Sequence, residues 1–110
     1  MREGTAMTVA EKTQTRLVLQ SGGATLSFDK NAKQAELQRK GFLWKPKPVT
    51  EPLANVAEIS VDAGVDRASG VEICNTMIVF KSGTAWAFGA NDRAEAQENA
   101  KLMRSFLSLQ

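Results

Sequence analysis

The chain of 110 residues contains no histidine and no tyrosine. The commonest general base and the commonest metal ligand are therefore missing, and with them every Ser-His or Cys-His catalytic arrangement. Cysteine occurs once, at Cys74. No intramolecular disulfide can form, and one thiolate cannot build a zinc site. No run of about 18 apolar residues is present, so no membrane-spanning helix is expected. The opening "MREGTAMTVAEKTQT" lacks a continuous apolar stretch, so no secretion signal is expected either. A cytoplasmic location follows as the expectation. "SGGAT" lacks the Lys-Ser/Thr ending of a phosphate-binding loop and the third glycine of a dinucleotide fingerprint, and reads as a turn. Neither a cofactor nor a metal is called for, and no repeat or low-complexity tract appears. Proline occurs only at Pro46, Pro48 and Pro52.

What is present describes one globular domain, 43% apolar and 24% charged. The net charge of +2 is too small to argue for nucleic acid. It is unevenly spread, however. Residues 1–55 hold nine Lys/Arg against five Asp/Glu, and residues 56–110 hold five against seven. The basic excess therefore lies in the first half.

Residues 1–14 are polar and patternless and read as a flexible arm, with a single domain over 15–110. "TRLVLQ" (15–20) sets Leu17 and Leu19 on one face. "ATLSFD" (24–29) alternates, with Ala24, Leu26 and Phe28 inward, and "QAELQRK" (34–40) continues through Ala35 and Leu37. Between them "DKNAK" is a turn, with Asp29 placed to bond its own loop. "NVAEISVDAGV" (55–65) puts Ala57, Ile59, Val61 and Ala63 on one face. "VEICNTMIVFK" (71–81) is apolar on both faces in its middle and reads as a central strand. "SG" (82–83) is a tight turn, and "TAWAFGA" (84–90) puts Trp86 and Phe88 together.

The period then changes. In "NDRAEAQENAKLMRSFLSLQ" (91–110), Ala96, Ala100, Met103 and Leu107 form one stripe flanked by Leu102, Phe106 and Leu109, which is helical spacing. Asp92 with Glu95 resembles a capping box, and Lys101 and Arg104 suit the C-terminal end of the dipole. Phe106 and Leu107 are expected to be buried. Arg93, Gln97, Lys101 and Arg104 are expected on the solvent side.

One segment invites a functional reading. "QRKGFLWKPKPVTEP" (38–52) gathers Arg39, Lys40, Lys45 and Lys47 around Phe42, Leu43 and Trp44. As a connection, its prolines make it rigid and stop it continuing a ladder. As a site, Arg39, Lys40, Phe42, Trp44, Lys45 and Lys47 would contact a partner or an anionic membrane surface. Cations near such a surface contribute about 1 kcal/mol each, and Trp settles at headgroup level. Single-stranded nucleic acid would use similar parts, but no RNA-binding motif accompanies them. Glu58, Asp62, Asp66 and Glu72 read as solvated carboxylates, or as an acid/base or hard-cation pair only within a pocket. Cys74 reads as a buried, inert thiol, and Trp86 and Phe88 as core.

Short antiparallel strands closed by one C-terminal amphipathic helix resemble the pleckstrin homology-like superfold, including its small bacterial versions. The likeness is carried by "LANVAEISV" (53–61), similar to the strand entry of such domains. "MIVFKSGTAWAFGANDRAEAQENAKLMRSFLSL" (77–109) is similar to their closing hairpin, polar link and capping helix. The resemblance implies a strongly bent antiparallel sheet or split barrel capped by the helix, with residues 42–45 supplying a seventh strand. The first hairpin turn, "QSGGAT", lacks the basic motif of phosphoinositide-binding members. The expected function is a non-enzymatic interaction module that binds a protein partner or self-associates through an exposed strand edge. The alternative is peripheral attachment to an anionic membrane through loop 39–47, and a carboxylate-based enzyme is a third, remote class.

Overall fold

In the computed structural model, which describes residues 7–21, 23–40 and 47–108, the alternating segments pair into two antiparallel sheets. The first holds β1 (Met7–Lys12), β2 (Arg16–Ser21), β3 (Ala24–Asp29), β4 (Gln34–Arg39) and β5 (Val49–Pro52) in chain order. A single 3-10 turn, Leu53–Asn55, leads to the second sheet. That sheet is β6 (Val56–Val65), β7 (Glu72–Phe80) and β8 (Ala85–Ala90), with β7 in the centre as its doubly apolar middle predicts. The helix α1 (Arg93–Leu107) follows. Among the described residues no ladder joins the two sheets, so they are not closed into a barrel.

Register explains the core. Side chains on one face of a sheet align across strands. The pairings place Leu17, Phe28 and Ala35 in one row, and Leu19, Leu26 and Leu37 in the next. All six are buried. They meet Ile59, Ile78, Phe80, Trp86 and Phe88 of the second sheet and Ala100, Met103 and Phe106 of α1 in one cluster. Phe80 and Trp86 pack edge to face with centroids 4.6 Å apart. Trp86 and Phe88 are core residues, as their alternation predicts. The turns also follow the sequence. Asp29 Oδ1 accepts from the N–H groups of Asn31 and Ala32. Gly83 takes φ 95° in the β7–β8 connection, a conformation that needs glycine.

Several expectations are corrected. Residues 7–12 are not a loose arm but a strand, β1, paired with β2. Its register shifts between Val9 and Glu11, which breaks the alternation that would have revealed it. The additional strand on the far side of the first sheet is β5, at 49–52. The segment 42–45 lies outside the described residues. β5 sits on the sheet edge with Pro52 at its last position, where a missing N–H is tolerated. In β6 a register shift between Val56 and Glu58 turns Val56 inward and leaves Ala57 exposed. Leu107 is only partly buried. Arg104 is not a free solvent residue, because its Nε donates to the Ile59 carbonyl at 3.0 Å.

The helix starts as predicted. The Asp92 carboxylate accepts from Glu95 N–H at 2.8 Å, and Glu95 Oε1 accepts from Asn91 N–H at 2.7 Å. Ser108, in the left-handed region, ends it. On the buried face the Thr76 hydroxyl donates to the Ala96 carbonyl at 2.9 Å, tying α1 to β7. Asn99 shares that face, is fully buried, and neither amide atom has a hydrogen-bond partner. A buried unsatisfied polar group costs about 1–3 kcal/mol. Asn99→Leu, similar in size and a better helix former, should therefore raise stability by about that amount in urea denaturation at unchanged m-value. A loss of stability instead would mean that the amide is satisfied in solution.

Candidate functional site

β6 is an edge strand. β7 lies on one side, and among the described residues no strand lies on the other. The Ile59 carbonyl faces the open side, since Arg104 binds it there. In an antiparallel strand, alternate residues turn both N–H and C=O to the same side. The register from Glu58 to Val65 has no further shift. Val61, Ala63 and Val65 therefore present their backbone groups to the open edge, while Ser60, Asp62 and Gly64 face β7. The usual edge protections are sparse. β6 has no Pro, Lys or Arg, and its carboxylates are Glu58 and Asp62.

The far end of this hairpin overruns its sheet. β8 pairs with Cys74 to Val79 of β7, so Gly64, Val65, Glu72 and Ile73 project past it. Val65, Val71 and Ile73 are exposed there to 65%, 59% and 51%, the three highest values among the exposed large hydrophobics. The joining loop is internally bonded. The Asp66 carboxylate accepts from Ser69 Oγ at 2.9 Å and from Ala68 N–H at 3.3 Å, and Gly70 N–H bonds the Asp66 carbonyl at 2.7 Å. The tip is thus a shaped apolar end. Sequence alternation located β6 and β7 and read β7 as central, but could not show that the outer side of β6 lacks a neighbouring strand among the described residues.

The basic segment is only partly placed. Phe42, Trp44 and Lys45 lie outside the described residues. Lys47 is exposed just before β5. Arg39 and Lys40, at the end of β4, border a groove of ≈ 500 Å³ between the end of the first sheet and β8. Ser21 lines it and donates its hydroxyl to the Gly89 carbonyl at 2.8 Å.

The carboxylates are not brought together. Glu58 and Asp62 are exposed on the face of β6 opposite the core. Glu72 forms an exposed ion pair with Arg93 at 2.9 Å, and Asp66 serves its own loop. Among the described residues no cluster of three potential metal ligands occurs. Cys74 is buried on β7. Desolvation raises its pKa above the usual thiol value, and the Glu72 carboxylate adds to the shift, so the thiolate is disfavoured. No helix among the described residues is long and apolar enough to cross a membrane.

No protein-family model, curated protein or solved structure matches this chain.

Proposed function

We propose that the protein is a non-enzymatic interaction module that self-associates by pairing β6 with β6 of a second copy. The observation that carries this reading is the β6 edge beyond Ile59, which among the described residues has no strand beside it, next to an exposed apolar hairpin end. A two-fold antiparallel pairing centred on Ala63 sets Val61 against Val65 of the second copy. All three outward-facing residues then meet partners whose backbone groups also face away from β7. Asp62 falls opposite Gly64, so no like charges are directly opposed. The two three-stranded sheets become one of six strands, and Val65 loses much of its exposure. A fold of the pleckstrin homology-like kind is part of the proposal. It is supported by four strands (β2–β5), three strands (β6–β8) and a terminal helix, preceded here by β1.

The test is sedimentation of the intact chain over a dilution series beside two variants. Ala63→Pro removes an N–H that points away from β7 and blocks the centre of the pairing. It deletes two intermolecular bonds of about 0.5–1.5 kcal/mol each, so dimer affinity should fall about tenfold to a hundredfold. Val65→Lys places a charge on the edge and should also weaken the dimer while leaving the melting transition of the dilute protein unchanged. A wild-type chain that stays monomeric at every concentration would sink the reading. So would a dimer indifferent to both substitutions.

A further inference from the structure

The core-facing row at the end of the first sheet changes character. Where the two preceding rows are apolar, this one reads Ser21, Ala24, Arg39 across β2, β3 and β4. Two small residues leave space, and the third member is a guanidinium. The groove of ≈ 500 Å³ occupies that space. On its other side are Asn75, Ala87 and Gly89 of the second sheet, and Lys40 stands at the rim. A Cβ built on Gly89 would lie 3.9 Å from Asn75 Oδ1 and 4.0 Å from Ser21 Oγ, so two polar side chains converge on this glycine. Ser21 Oγ ties one wall to the other through the Gly89 carbonyl, and within the first-sheet wall Lys40 N–H donates to the Gly23 carbonyl at 2.8 Å. Ser21 is more than nine-tenths buried. No carboxylate is among the described residues that line the groove.

We propose that this groove between the two sheets binds a phosphate monoester. Arg39 supplies a planar pair of donors that matches two phosphate oxygens, and Lys40 supplies a second positive charge. Two cations with no carboxylate among the described lining residues suit a dianion better than a monoanion. The volume falls within the roughly 300–1,000 Å³ of small-molecule sites, so there is room for an organic group beyond the phosphate. The site is separate from the β6 edge, and it stands whether or not the chain self-associates.

The experiment is a titration of the isotope-labelled full chain, followed residue by residue through its amide NMR signals. The soluble probes are inorganic phosphate and glycerol 3-phosphate. A second arm uses phosphatidylcholine vesicles with and without phosphatidic acid. Saturable shifts are expected at Ser21, Gly23, Ala24, Arg39, Lys40 and Ala87 to Ala90, with the ester binding at least as well as inorganic phosphate. Arg39→Gln should weaken binding about tenfold or more. Ala87→Glu, which places a carboxylate in the groove, should abolish it. Both variants should keep the wild-type melting temperature, which shows that the loss is local. Binding to soluble ester identifies a free ligand. Binding to phosphatidic acid vesicles alone, lost in Arg39→Gln, identifies a lipid headgroup as the source of the same chemistry. Absence of saturable binding in both arms overturns the proposal. So does binding that survives both substitutions, or shifts that map away from the groove.

Discussion

Phe28→Ala is expected to destabilise the protein by about 3–5 kcal/mol. Phe28 is fully buried on β3, between Leu17 and Ala35 in its row. Its ring lies 6.4 Å from that of Phe106 on α1, so it joins the first sheet to the helix. Removing the ring loses its transfer free energy and leaves a cavity that neighbours on three elements cannot collapse to fill. A domain of this size has about 5–15 kcal/mol in all. The variant should therefore lose a large part of its stability and unfold at much lower urea, with an unchanged m-value. Gln97→Ala, exposed on the solvent side of α1, is the control and should stay within about 0.5 kcal/mol. A loss below about 1 kcal/mol for Phe28→Ala would contradict the packing of the first sheet against the rest.

Phe106→Ala should cost about 3 kcal/mol, the low end of the same range. Phe106 is 8% exposed, at the margin of the core. Lys30 Nζ stands 4.6 Å from its ring centroid, so a cation–π contact goes with the ring. At the margin, water and the Lys30 stem can partly refill the space. The decisive comparison is with self-association. The β6 edge that carries the proposed pairing does not include Phe106, so the dimer of the folded variant should keep its affinity. Unchanged stability combined with lost self-association would make α1 a docking element, and the proposed pleckstrin homology-like packing would fall with it. One denaturation curve beside one dilution series separates these outcomes.

The elements whose periodicity is undisturbed were legible in the residues themselves. β3 has the bounds its alternation predicts, and the helical stripe of Ala96, Ala100 and Met103 is the buried face of α1. Asp92 caps the helix because its position three residues before Glu95 lets one carboxylate meet one orphan N–H. Such features depend on neighbours in the chain, so local chemistry determines them. The burial of Trp86 and Phe88 follows the same logic, since they alternate with small residues on their strand, and that of Cys74 follows the general tendency of free cysteine to be buried.

Other features were settled only by partners distant in sequence. β1 and β5 are short, largely exposed edge strands whose order comes from the backbone of β2 and β4. Val56 entered the core because a bulge against β7 reversed the parity of one residue, which no count along β6 can reveal. Arg104 reads as a solvent-facing helix residue until the fold brings the Ile59 carbonyl to it. Arg39 belongs to a basic segment in the sequence. In the fold it is the exposed third member of the row that continues the core face, and it borders a groove whose opposite wall includes β8, about fifty residues away in the chain. By itself, then, the sequence determined the kinds of element and the absence of histidine-based chemistry. Tertiary structure decided that β6 has no second strand beside it among the described residues and where two cations border a groove, because both depend on which surfaces the other elements cover.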